Sequence, residues 1–138
     1  MKKIMLMFFS ALFLVACTDS SKNDELKAYV SDFKNSGFRN SDGQIIVLSE
    51  EGIMIDSHVL SGKSHRKSNI DKVLEKENIP LTQQFNKVYK DATIKTDGSK
   101  YYVTLDENIK LEFEKVGLRI IEDTEGVEYY TQEYSEEN

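Results

Sequence analysis

The sequence predicts an α+β domain in which helices pack on one face of an antiparallel β-meander. Three observations predict it. Apolar side chains recur at helical spacing at several places before residue 93. From Thr93 onward they alternate with polar ones, the period of a half-buried strand. Turn residues punctuate that alternating part, Asp97-Gly98 foremost.

The first helix is expected from Leu26, Tyr29, Val30 and Phe33, which fall at i, i+3, i+4 and i+7. Ser21 with Asp24 has the spacing of a capping box, and Ser36-Gly37 provides a stop. Lys22, Lys27 and Lys34 lie off the stripe, as a solvated face would. Residues 44–48 (QIIVL) and 53–56 (IMID) flank Ser49-Glu50-Glu51-Gly52 and read as a hairpin. Residues 57–68 carry no apolar periodicity and hold the basic cluster Lys63, His65, Arg66 and Lys67.

Ser68 and Asp71 repeat the capping signature ahead of Ile70, Val73 and Leu74, a short helix that Asn78-Ile79-Pro80 ends. Leu81-Thr82 is read as a restart, with Phe85, Val88, Tyr89 and Ala92 again at helical spacing. Strands follow at 93–96 and 100–105, around Asp97-Gly98, and at 109–114, where Ile109, Leu111 and Phe113 alternate with Lys110, Glu112 and Glu114. Further strands at 118–123 and 127–132 make a meander of four or five. A helix preceding a meander resembles, in architecture alone, cystatin-like and NTF2-like small domains.

Size and charge fit one such domain. The chain has 138 residues, 39% hydrophobic and 30% charged, with a net charge of −6. That composition excludes a wholly disordered chain and a polytopic membrane protein. One cysteine excludes an intrachain disulfide and a cysteine-based zinc cluster. The first 16 residues hold two lysines and no acid, so the remainder carries −8.

Met1-Lys2-Lys3 is a positive start, and residues 4–16 are apolar except for Ser10. Thirteen helical residues reach only about 20 Å, short of the roughly 30 Å hydrocarbon core. The pattern is that of a cleaved secretory signal. Leu14-Val15-Ala16-Cys17 resembles the lipobox of bacterial lipoproteins. The resemblance implies that the signal is cut before Cys17 and that the Cys17 thiol carries a diacylglycerol. It places the protein on the outer face of the cytoplasmic membrane, or on an outer membrane in a cell with two. Residues 1–16 are then the signal, 17–23 the lipidated cysteine and a polar tether, 24–132 the domain and 133–138 an acidic tail.

Motifs for chemistry fall short. Ser61-Gly62-Lys63-Ser64 has the ending of a P-loop, but Ser57 stands where its first glycine belongs. Asp56, His58 and His65 are metal-ligand types without helical i, i+4 spacing, so they read as loop residues. There is no G-x-S-x-G elbow, and the acid pairs at 50–51, 122–123 and 136–137 sit at turns or in the tail. Asp97-Gly98 and Asp106-Glu107-Asn108 lack the spacing of a calcium loop. No enzymatic activity, cofactor or metal is expected.

Charge asymmetry is the strongest surface signal. Lys63, Arg66 and Lys67 form a basic loop, whereas residues 122–138 hold seven acids and no Lys or Arg. Such a tail disfavours nucleic acid. Tyr130 and Tyr134 lie among these acids, and exposed tyrosine suits protein contact. The expected function is a non-catalytic, membrane-tethered domain that binds another protein, in exclusion, immunity or a secretion or conjugation apparatus. Its candidate contact residues are Lys63, Arg66, Lys67, Tyr130 and Tyr134, with Cys17 as the lipid site and the membrane as second partner. Two alternatives stand beside it: a single-domain lipoprotein binding a small molecule or ion, and a signal whose fragment 9–16 serves as a peptide pheromone.

Overall fold

The structure, a computed structural model, describes residues 26–58 and 67–131. It is mostly β. Nine strands form one antiparallel sheet: β1 (Phe38–Asn40), β2 (Ile45–Ser49), β3 (Gly52–Ser57), β4 (Phe85–Tyr89), β5 (Thr93–Asp97), β6 (Lys100–Asp106), β7 (Ile109–Gly117), β8 (Ile120–Asp123) and β9 (Glu128–Thr131). One short helix, α1 (Asn69–Lys76), lies between β3 and β4, and a 3-10 turn (Val30–Phe33) precedes β1.

The spatial order is β4-β3-β2-β1-β9-β8-β7-β6-β5. Every strand pairs with its sequence neighbour except where β1 meets β9, Phe38 opposite Thr131 and Asn40 opposite Tyr129. Two meanders are thus fused through the first and last strands, and the sheet curls into a half-barrel. Parity accounts for the opening. With antiparallel neighbours throughout, β4 and β5 run in the same sense. Residues 90–92 join them, too few for a parallel crossover, which takes a dozen or more. The ladder therefore stops between β4 and β5.

Alternation decides what faces inward. Tyr101, Val103 and Leu105 of β6, Ile109, Leu111 and Phe113 of β7 and Ile53 and Ile55 of β3 are all buried, with polar residues between most of them turned outward. Phe33 of the 3-10 turn is fully buried among them. Its ring meets those of Phe38 and Tyr101 edge-on with centroids 5.0 Å apart, and that of Phe113 at 6.0 Å. Ile70, Val73 and Leu74 of α1 complete the same core.

Several expectations hold. The β2–β3 hairpin, the helix capped by Ser68 and Asp71, the Asp97-Gly98 hairpin and the strands after Thr93 are all present. Two helices do not form, and the fold is a curled sheet with one short helix rather than several helices laid on one face.

At residues 26–33 tertiary hydrogen bonds override the apolar spacing. Ala28 gives its N–H to the Gly98 carbonyl at 2.8 Å, and the Lys27 carbonyl accepts from Lys115 Nζ at 3.2 Å. Only one 3-10 turn remains. Ala28 and Phe33 go inward while Leu26, Tyr29 and Val30 stay exposed. No α-helix therefore precedes the meander among the described residues.

Residues 81–92 differ as well: β4 forms there instead of a helix. Phe85 and Tyr89 are buried opposite Ser57 and Ile53, and Lys87, though exposed, shares their face opposite Ile55, which is period-2 pairing. A short run with apolar residues at 85, 88 and 89 fits either period, and the unpaired side of β3 decides between them. Strand β1 is a third difference: its three residues are too few to show a period.

Candidate functional site

Strand direction gives the half-barrel two distinct ends. The 3-10 turn, the β5–β6 turn and the β7–β8 turn lie at one. The β1–β2, β6–β7 and β8–β9 turns lie at the other, together with α1. The candidate site is at the α1 end.

Its foundation is a buried polar network around the start of α1. Ser68 is the N-cap: its Oγ accepts from Asp71 N–H at 3.1 Å, and Asp71 accepts from Ser68 N–H at 2.9 Å. Ser68 also donates to Gln44 Oε1 at 2.7 Å. Gln44 in turn donates to Asp71 at 2.7 Å and to Ser57 at 3.2 Å, and accepts from Asn40 Nδ2 at 2.8 Å. On the other side, Asp123 accepts from Asn69 N–H and from the Tyr129 hydroxyl, both at 2.8 Å. Asn40, Gln44, Ser57, Ser68, Asn69, Asp71 and Asp123 are all buried, and the network ties β1, the β1–β2 turn, β3, β8 and β9 to the helix. Burial, with the Asp123 carboxylate next, raises the Tyr129 phenol above its ordinary pKa.

The helix C-terminus shapes the site itself. Asn78 takes a left-handed conformation, φ 59°. Its N–H donates to the Glu75 carbonyl at 3.1 Å, and Ile79 N–H donates to the Leu74 carbonyl at 2.8 Å. This is a Schellman motif, with Asn in the place usually taken by Gly. It folds residues 79–81 back along α1. Leu74, Ile79, Pro80 and Leu81 then line an open groove of about 360 Å³, with exposed Lys67 and Glu75 on its rim and buried Asp71 at its base. Leu81 remains 38% exposed. Lys67 Nζ lies 2.7 Å from Glu75 Oε1, and that hydrogen bond raises the lysine above its ordinary pKa.

The expected contact residues divide. Lys67 stands on the groove rim. Tyr130 is half-buried on the outer side of β9, paired with Arg39 and Ile120 toward the opposite end, its hydroxyl 3.3 Å from Glu128. Lys67 and Tyr130 therefore do not form one surface. Cys17, Lys63, Arg66 and Tyr134 lie outside the described residues, as do the signal, the tether and the acidic tail. Leu74, Ile79, Pro80 and Leu81 were not expected at the site. The sequence did mark their position, since Asn78-Ile79-Pro80 was a recognised break.

Asp56 Oδ2 lies 3.4 Å from Nε2 of exposed His58, and His65 falls outside the described residues. Among the described residues no three His, Cys, Asp or Glu side chains gather as a metal set, and no helix is long and apolar enough to cross a membrane. No family model, curated protein or solved structure matches the chain.

Proposed function

We infer that the protein is a lipid-anchored extracytoplasmic domain that binds another protein through the groove at its α1 end. The observation that carries the binding reading is the apolar floor of Leu74, Ile79, Pro80 and Leu81 under the charged rim of Lys67 and Glu75. An apolar centre with a polar rim is the anatomy of a protein-binding patch. The Schellman motif and the buried network below α1 hold that floor rigidly, which lowers the ordering cost of association.

Anchorage rests on Met1-Lys2-Lys3, the apolar run and the lipobox ending in Cys17. Two acyl chains on that cysteine supply stable attachment, which one chain does not. The partner then lies at or near the same membrane surface.

A photoreactive residue placed at Leu81 in intact cells tests the binding reading. The expected result is one discrete adduct, reduced by Lys67→Glu, with none from a probe at Lys95 on the outer face of β5. Equal labelling from Leu81 and Lys95, or no adduct from Leu81, would rule out the groove as the contact.

A further inference from the structure

Seven large apolar side chains are exposed among the described residues: Leu26, Tyr29, Val30, Leu81, Tyr102, Val116 and Leu118. Five of them belong to one end of the half-barrel. Leu26, Tyr29 and Val30 lie in the entering chain, which Ala28 fastens to the β5–β6 turn at Gly98. Lys115, near the end of β7, donates its Nζ to the Lys27 carbonyl at 3.2 Å and lies 5.8 Å from the centre of the Tyr29 ring. Val116 follows it directly. Leu118, at the tip of the β7–β8 turn, is 78% exposed, the highest value of the seven. The groove, with Leu81, is at the other end.

We propose that this end is a bilayer-docking surface, with Leu118, Val116, Val30, Tyr29 and Leu26 resting in the interface of the membrane that holds Cys17. The inference builds on the lipid-anchor reading. Eight residues separate Cys17 from Leu26, and these nine chain steps reach at most about 30 Å when extended. The end that receives this tether is the end closest to the bilayer, and it is the end where exposed apolar residues collect. Tyr29 suits the headgroup level, where an apolar ring with a polar tip is favoured. Lys27, beside it, has a stem that can lie along apolar surface while its charge stays in water. Asp97 and Glu114 offset Lys100 and Lys115 on the adjoining surface, so apolar insertion rather than lipid charge carries the contact. Docked in this way, the domain turns the groove away from the membrane.

The chain contains no tryptophan, so one introduced tryptophan is a unique reporter. The full lipidated protein is prepared as Leu118→Trp and, separately, as Leu81→Trp, and each is mixed with vesicles of acyl-brominated phosphatidylcholine. Both positions are exposed, and circular dichroism checks that both variants fold. The expected result is flotation of both with the vesicles, several-fold stronger bromine quenching for Leu118→Trp, and several-fold stronger quenching by aqueous iodide for Leu81→Trp. Flotation of both with equal quenching, or with the order reversed, would overturn docking and leave the anchor standing. Failure of both to float would overturn the anchor and the docking with it.

Discussion

Lys115 places its ammonium 3.3 Å from the Asp32 carboxylate, joining the inner face of β7 to the turn through which the chain enters the domain. The lysine side chain is only 9% exposed. Asp32 also accepts from the Tyr101 hydroxyl at 2.5 Å and from Tyr29 N–H at 3.0 Å. One carboxylate thus satisfies three donors at the end of the half-barrel where the described chain begins. This contact converts residues that read as helix into an extended entry with a single turn.

Asp32→Ala is expected to destabilise the domain by about 3 kcal/mol, because it removes the counter-ion of a buried ammonium and the acceptor of a buried phenol. Lys115→Met should cost about 1 kcal/mol, since Asp32 keeps two donors. Urea denaturation measures both. The double variant should lose less than the sum by about 1 kcal/mol, and strict additivity would mean that the pair does not interact.

The same substitution should act differently at two tyrosines. Tyr129→Phe deprives Asp123 of a donor inside the buried network and is expected to cost about 1–2 kcal/mol. The buried Tyr89 hydroxyl has no partner among the described residues. Tyr89→Phe removes that uncompensated group and should leave stability unchanged or raise it by about 1 kcal/mol. Midpoints of thermal unfolding rank the two.

Alkaline pH should unfold the domain. Burial is the first cause of raised pKa values at Tyr89, Tyr101 and Tyr129. The unfolded chain loses these protons near pH 10 while the folded chain retains them. Their stabilisation is complete below about pH 10 and is lost as pH rises toward the folded values, by up to about 1.4 kcal/mol per pH unit for each phenol. Denaturation midpoints between neutral and strongly alkaline pH should show this fall, and a smaller slope in Tyr129→Phe. A flat profile above pH 10 would contradict it.

Local chemistry was readable from the sequence wherever a short segment decides its own shape. Ser68 and Asp71 begin a helix, Asp97-Gly98 closes a hairpin, and residues 109–114 alternate, all by interactions within a few residues. What was not readable depends on distant partners. Phe85, Val88 and Tyr89 suit a helix as well as a strand until β3 presents its backbone to them. Leu26, Tyr29 and Val30 form a stripe on paper, yet Gly98 and Lys115 claim the backbone around them. Of the groove, the break at Asn78-Ile79-Pro80 was legible. That it folds back onto Leu74 follows from the left-handed Asn78, which apolar spacing does not reveal.

Two turn glycines should differ in tolerance. Gly52 has φ 144°, and a Cβ there would collide with the Tyr89 carbonyl of β4. Gly98 has φ 60° with nothing within 4 Å of its would-be Cβ. Gly98→Ala is therefore expected to cost about 1–2 kcal/mol, the left-handed penalty alone. Gly52→Ala should cost about 3 kcal/mol or more, since backbone must move as well. Equal costs in urea denaturation would place β4 farther from the β2–β3 turn than described.

The proposed membrane attachment depends on Cys17. Intact-mass and N-terminal peptide measurement of the protein extracted from producing cells tests it directly. The expected mature chain begins at Cys17 and carries a diacylglyceryl group on that sulfur. A chain that retains residues 1–16, or that begins at Cys17 with a free thiol, would contradict the anchor and the membrane-facing orientation built on it.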